Sequence, residues 1–550
     1  MVKRLIICMP MLLAAAVFCF SPAAQATEKL AENQVLNIAF DSGDLQTLDP
    51  HRAATTVDRS TVDPIFNGLV RYTPGNQVKA EPDLAESWEA SEGNKVWTFQ
   101  LRKGVFFHPF PGSPQGYELT SEDVVYSFNR AANPETSSYA GEYSGTKFEA
   151  EGPYKVKITL EKPMSETLFL AKVANYAGGF IVPKKAIEEK GNDWFKLNPV
   201  GTGPFMFKSY EPRQKVVLTA NDKYFRGKPY LREVVIRYMP SVSSRELGLQ
   251  SGELQIIEGL KEDKWLEKVA SFPDVVIEPF GPCETQVLFF NMASEPFKDI
   301  RIRKAFSYAV NREEVAAFMG KGLAIPIYSP TLAPPAPGAL TKEEVQAAGV
   351  LYENNIAEAK KLLDQAKFEK GLKFEVIISE MESSYKKPMI AIQAQARKAG
   401  IDMQLKVVDH SAFHGLIRKD ASPIVYYACW RPDVDVYLTR FFHSDSVIVD
   451  GKNPDTNFSH YGAVDASGDG KIDNIDGLIE KARWELDAGK QIAMWKEAQL
   501  KILEDAAALP IIRLMYAFPM KSNVDLGYDL NFSWQTYSPQ INEKTRLLAK

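Results

Sequence analysis

Histidine and cysteine are scarce in this chain, with six His and four Cys among 550 residues. Cys8 and Cys19 lie in the first 26 residues, which leaves Cys283 and Cys429. That pair is too widely spaced for a disulfide framework, and two separately buried thiols are expected. Also missing are the G-x-S-x-G elbow, the Walker phosphate loop, H-E-x-x-H and C-x-x-C. No activated nucleophile or closed metal set announces itself, so an enzyme is not expected. Positive charge is not in excess either. Lys and Arg number 65 against 70 Asp and Glu, a net charge of −5 that gives nucleic acid no field to follow. Beyond the N-terminus no apolar run approaches the roughly 20 residues of a membrane span.

The N-terminus itself is distinctive. Lys3 and Arg4 precede an apolar run from Leu5 to Phe20, followed by Ala24-Gln25-Ala26. This is the charged, apolar and A-x-A order of a secretory signal peptide. Val17 and Phe18 are too bulky for a lipobox before Cys19, so a free soluble protein starting near Thr27 is expected. Losing Lys3 and Arg4 takes the net charge to about −7. At 550 residues and 61.5 kDa the chain is long enough for two or three lobes.

The most informative stretch is Glu81 to Arg130. Val96, Trp97, Phe99 and Leu101 form a partly alternating strand pattern that Lys103-Gly104 ends in a turn. Thr120 is placed to cap a helix, with Asp123 as its capping-box partner. Pro82-Asp83-Leu84-Ala85, Ser87-Trp88, Trp97-Thr98-Phe99, Leu101 to Val105, Phe107-His108, Leu119-Thr120 and Glu122 to Val124 follow in order. Together they resemble the signature of the family 5 extracellular solute-binding proteins, the peptide-, nickel- and opine-type receptors of ABC importers. Two further stretches add to the resemblance. One is Asn198 to Phe205 with its Gly-Thr-Gly-Pro turn, where Pro204 removes an amide that a phosphate loop would use. The other is a helix expected over Ile300 to Phe318, carrying Arg303, Ala305, Ala309 and Asn311-Arg312-Glu313. Pro109 to Tyr117 stands as an insert where the family has a short connection.

Farther on, strands alternate with helices, as in open α/β sheets. The proline-rich Ser329 to Gly338 reads as an extended, linker-like loop. The resemblance implies a two-lobed, periplasmic-binding-protein-like II fold of α/β class, with hinge strands and an extra N-terminal subdomain. Residues 1–26 are the expected signal peptide. Lobe I is expected from 27–60, 200–285 and 510–550, the subdomain from 61–199, and lobe II from 286–509. The implied function is a periplasmic receptor, working as a monomer, that closes on a small solute and hands it to an ABC permease and its ATPase. Peptides are the default cargo. A chelated metal or carboxylated compound is the alternative, and a secreted calcium-dependent binding protein the alternative from another class.

Ligand contacts are expected around Tyr426, Tyr427, Trp430, Arg431 and Asp433, with Glu284 a further candidate. In peptide-binding members an Asp near this segment holds the peptide's ammonium. Here the segment is shorter, and Arg431 stands about where an acid is expected, which suits an anionic group. Asp465 to Asp476 follows the EF-hand spacing. Asp465, Ser467 and Asp469 occupy positions one, three and five, and Gly470 position six. Lys471 offers a carbonyl, and Asp476 falls at twelve, where dockerin-type loops also carry Asp. Structural Ca²⁺ is expected there, against the alternative of a solvated acidic turn. His410 and His414 share one helix face, with Asp409 read as the helix cap.

Overall fold

The computed structural model describes residues 29–174, 176–282, 284–320, 322–431, 433–449, 456–530, 532–533 and 538–549. The expected signal peptide and Cys283 lie outside them. The strand Val35–Phe40 runs through the middle of a seven-stranded sheet. Its neighbours are Glu233–Tyr238 on one side and Ile256–Ile257 on the other, both parallel to it. Leu36, Ile38 and Phe40 enter one core while Ala39 enters a smaller one on the opposite face, so the strand is buried on both sides. Lys215–Ala220 and Phe205–Glu211 extend one edge. Met520–Lys521 and Val275–Val276 complete the other.

The Glu81–Arg130 stretch builds a four-stranded antiparallel sheet with Lys147–Ala150 and Lys155–Thr159. Trp97 is buried and stacks on Phe169 at 4.6 Å. The Thr120–Asp123 capping box forms as expected and opens the helix Ser121–Ala131. The Pro109–Tyr117 insert folds back onto this corner. Tyr117 stacks near Phe107 at 5.0 Å and its hydroxyl donates to Asp123 Oδ1 at 2.6 Å. Gly116, at φ 69°, lies so close to the Phe107 carbonyl that a Cβ would meet it at 2.0 Å.

The second lobe carries a sheet ordered Ala324–Pro326, Ala508–Leu514, Glu284–Phe290, Ile424–Trp430. The parallel pair Leu372–Ser379 and Ile401–Val408 lies beside it. Three sequence expectations change here. The chain does not return to the first lobe at Pro510: Ala508–Leu514 pairs with Glu284–Phe290, and the first lobe is rejoined at Met520. The helix expected over Ile300 to Phe318 is two helices, Ile300–Ala309 and Arg312–Met319. Val310 is extended, and Asn311 leaves helical geometry to cap the second helix through the Glu314 amide. Ser329 to Gly338 is not a linker. Its Leu332, Ala333 and Ala336 enter the second lobe's core, and buried Gln499 accepts from Ser329 Oγ at 2.6 Å and Thr331 Oγ1 at 2.7 Å.

The lobes meet where two chain segments cross. Phe280 N–H donates to the Tyr516 carbonyl at 2.9 Å, and Tyr516 N–H returns the bond at 2.7 Å. The N-terminal subdomain also reaches the second lobe. Ser165 Oγ donates to Gln491 Oε1 at 2.9 Å in a fully buried contact, and Lys162 lies over the Trp484 ring.

Arg303 shows why its helix carries an arginine in the core. Fully buried, it donates to the carbonyls of Phe297 at 2.6 Å, Lys298 at 2.9 Å and Asp505 at 2.9 Å, and to that of Ala466. It ties the helix start, the end of the helix Ala488–Glu504 and the Asp465 loop together. Arg303→Ala leaves those carbonyls without donors and should cost about 3 kcal/mol or more in urea unfolding. A loss under about 1 kcal/mol would mean the carbonyls find other donors.

Candidate functional site

At the crossing each lobe presents an ionisable side chain, Lys261 from the first and Glu284 from the second. Lys261 follows the first-lobe strand Ile256–Ile257, and its Nζ sits 3.5 Å from the centroid of the Tyr516 ring. Glu284 opens the second-lobe strand immediately after the crossing. Its carboxylate has no hydrogen-bond or ion-pair partner among the described residues. Burial pushes the Glu284 carboxyl up, with Lys261 opposing. Burial likewise pushes the Lys261 ammonium down, against the pull of Glu284 and Glu258. The two groups feel each other's charge, yet no salt bridge joins them.

Strand alternation sets which side chains join Glu284. Gln286 and Leu288 pair with Ala428 and Tyr426, so with Glu284 these side chains share one face. Gln286 is fully buried. Its Oε1 accepts from the Tyr426 hydroxyl, while its Nε2 has no hydrogen-bond partner. Tyr385 stands edge-on to Tyr426 at 6.1 Å, its hydroxyl accepting from Ala428 N–H at 3.4 Å. The opposite face holds Thr285, Cys429 and Tyr427. Cys429 is a free, buried thiol pushed up to about 11 by burial. The Tyr437 hydroxyl donates to the Cys429 carbonyl at 2.6 Å and accepts from Thr285 Oγ1 at 3.1 Å.

The turn after this strand carries Arg431 and Asp433. The Arg431 guanidinium lies 5.3 Å over the Phe441 ring. Asp433 caps the helix Val434–Phe442 by accepting from Val436 N–H at 2.8 Å. Burial and the neighbouring Asp435 push its carboxyl up to about 7, while Lys172 and Arg483 pull the other way. Lys172 and Tyr72, both from the N-terminal half, are near enough to feel the Asp433 charge. Asp435 is held by Arg483 Nε at 3.0 Å.

The expected ligand residues therefore divide. Glu284 stands at the crossing, and Arg431 and Asp433 on the turn beside it. Tyr426 is on the Glu284 face but fully buried behind Gln286. Tyr427 is not at the cleft: alternation turns it into the second lobe's core, against Phe441, Phe458 and His414. The Trp430 side chain lies outside the described part. Lys261, Gln286 and Tyr516 went unnoticed in the sequence. The period of two from Glu284 points to Gln286, but nothing in the chain marks Lys261, which meets Tyr516 only through the crossing.

Two other sequence candidates resolve geometrically. Arg418 Nη1 donates to His414 Nδ1 at 3.3 Å, which leaves the His414 proton on Nε2. That proton points to His410 Nε2 at 3.2 Å, and His410 Nδ1 then donates to Ser379 Oγ at 2.9 Å. Both inner nitrogens are thus used by the pair itself. In the acidic loop, Asp465 accepts from the amides of Gly468, Asp469 and Gly470 at 2.7, 3.1 and 2.8 Å. Ser467 and Ala466 give their amides to Asp473, and Lys471 gives its amide to Asp469. Asp476 is turned to the Ser444 amide at 3.0 Å and its hydroxyl. Among the described residues, no three His, Cys, Asp or Glu are grouped as a metal set.

Residues 79–447 match the bacterial extracellular solute-binding proteins, family 5. The chain belongs to this family. The dipeptide-binding protein of Escherichia coli K12 is 28% identical over 519 residues, covering 86% of this chain and 88% of that protein. The solved structure of MoaA from A. tumefacien R10, in complex with mannopinic acid, is 37% identical with a TM-score of 0.70. It covers 94% of this chain and 100% of MoaA. DppA from Helicobacter pylori, in complex with the peptide STSA, is 26% identical with a TM-score of 0.70, covering 95% and 99%. The chain is thus a family 5 receptor of the ABC-importer type, with the two-lobed fold of that family. Its relatives are binding proteins and not enzymes. Among the described residues no helix is long and apolar enough to cross a membrane.

Asp433 gives this family 5 receptor a pH dependence. Its carboxyl is raised in the folded state, so the folded form holds a proton that the unfolded chain releases from about pH 4. Its contribution to stability is full below about pH 4 and is lost as pH rises to about 7. Asp433→Asn keeps a helix cap and has no charge to bury. Its advantage over the wild type should grow from pH 4 to 7 and level off above, at about 1–3 kcal/mol. Thermal unfolding across that range checks the slope, and a constant difference would show that Asp433 is ionised throughout.

Proposed function

We propose that this chain is an exported periplasmic receptor, cleaved after Ala26 and acting as a monomer, that delivers a small organic acid to an ABC permease and its ATPase. The observation carrying the choice of cargo is the state of Asp433. A peptide clamp needs a charged carboxylate free to meet the ammonium. Asp433 is spent on the Val436 amide, and burial beside Asp435 leaves it only partly ionised at neutral pH. Cations stand close to the cleft from both lobes, Lys261 from the first and Arg431 from the second. The 37% identity to a receptor solved with mannopinic acid supports the same reading. Hinge closure would hold the acid between the lobes.

The Asp465 loop is proposed as a calcium brace and not part of the cargo site. Its spacing and the three amides gathered by Asp465 support this, and Asp476 would have to leave Ser444 to join.

Calorimetry and thermal shift with mannopinic acid, a dipeptide and the peptide STSA test the cargo. The acid should bind, adding about 2.7 kcal/mol of stability at a hundredfold excess over Kd, and both peptides should leave the unfolding temperature unchanged. Peptide binding without acid binding would restore the peptide default. For the loop, Ca²⁺ should raise the unfolding temperature reversibly with EGTA, and Asp465→Ala with Asp469→Ala should abolish the shift. An unresponsive wild type would leave the loop a solvated turn.

A further inference from the structure

The helix Glu166–Lys172 of the N-terminal subdomain serves two cores at once. Its Phe169 and Leu170 pack into the subdomain's own core, Phe169 stacking on Trp97. Leu168, 6% exposed, instead enters the core of the second lobe. Among the described residues it is the subdomain's one buried side chain there. Partly buried Met164, just ahead of the helix, touches both cores. The polar groups follow the same plan. Ser165 Oγ accepts from Leu168 N–H at 3.4 Å to cap the helix, and its own proton goes to Gln491 Oε1 in the second lobe. Gln491 is aimed by its other end, where Nε2 donates to the Ala482 carbonyl at 2.9 Å. At the rim, Lys162 lies 5.2 Å from the centroid of the half-exposed Trp484 ring. Trp88 Nε1 donates to Glu166 Oε1 at 2.9 Å, so the signature strands hold the helix that carries Leu168.

We propose that this contact is a latch that parts and re-forms as the lobes open and close, with Leu168 the positioning residue that sets how much of the receptor stands closed. The crossing at Phe280 and Tyr516 permits rotation only if the other contacts between the lobes can separate. This one is built to do so. Ser165 Oγ and Gln491 Oε1 can each exchange the other for water at little net cost. A single apolar side chain crosses the boundary into a core, and its removal from water supplies the gain on closing. None of these groups comes from the cargo, so the latch weighs on the empty and the loaded receptor alike. An apparent affinity is the intrinsic one scaled by the fraction of protein in the competent state. Leu168 therefore tunes the affinity for every cargo by one common factor while contributing no contact to any of them. This rests on the reading that the lobes close over a cargo, and not on which cargo it is.

The test compares the mature wild type with Leu168→Ala, Leu168→Asp and Leu168→Met. Small-angle scattering and thermal unfolding are read on the ligand-free protein, and calorimetry uses mannopinic acid and the peptide STSA as probes. The Ala and Asp variants should have a larger radius of gyration than wild type and unfold at the wild-type temperature. They should bind whichever probe the wild type binds about tenfold or more weakly, and by the same factor where it binds both. Leu168→Met keeps the apolar contact and should match the wild type in all three measurements. A permanent interface would give the opposite pattern, with earlier unfolding and an unchanged radius and affinity, and that result overturns the latch. A radius unchanged in both the Ala and Asp variants overturns it as well. If the wild type binds neither probe, the cargo reading fails, and the radius alone then decides the latch.

Discussion

The reciprocal hydrogen bonds between Phe280 and Tyr516 are the constraint on which the arrangement of this protein depends. They clamp two segments that are far apart in sequence into one narrow passage between lobes. On one side of the passage the chain enters the seven-stranded sheet, and on the other it enters the sheet built on Glu284–Phe290. A backbone ladder one residue pair wide resists stretching but allows rotation, which is what a hinge requires. Everything placed at this passage is therefore sensitive to how far the lobes are closed.

That sensitivity explains where charge has been put. Each lobe has its own apolar core, rich in Phe and Ile, and its own internal polar anchors, such as Arg303 in the second lobe. Those anchors are satisfied by carbonyls of the same lobe and do not change with closure. Lys261 and Glu284 are different, since each feels the other's charge across the boundary, Lys261 feeling Glu258 of its own lobe as well. The subdomain adds a second contact across the boundary through Ser165 and Gln491, which is neutral and fully buried. Closure thus joins a neutral contact at the periphery with a charged one near the hinge.

The family and the lobe architecture were legible in the sequence because they rest on local patterns. The Thr120–Asp123 cap, the Val96–Leu101 strand and the Asp409 cap each follow from residues within a few positions. The errors came where tertiary contacts decide. Asn311 breaks one expected helix into two because its side chain satisfies the next helix's amide. The Ser329–Gly338 segment has the composition of a linker, yet Gln499, 161 residues from Gly338, draws it into the core. Tyr427 has the character of a ligand aromatic, but the period of the strand sends it inward. Lys261 could not be found at all, since its neighbours arrive from residues 284 and 516.

The cost of an empty charged cleft is itself part of how such a receptor works. A ligand shifts a two-state equilibrium only by the difference between its affinities for the two states. If the cleft were apolar, closure would be favourable without cargo, because burying apolar surface is favourable on its own. Glu284 and Lys261 instead carry a desolvation cost, burial pushing the carboxyl up and the ammonium down. Of two buried opposite charges, an occupant that pairs with one leaves the other desolvated without a partner, which costs more than leaving both in water.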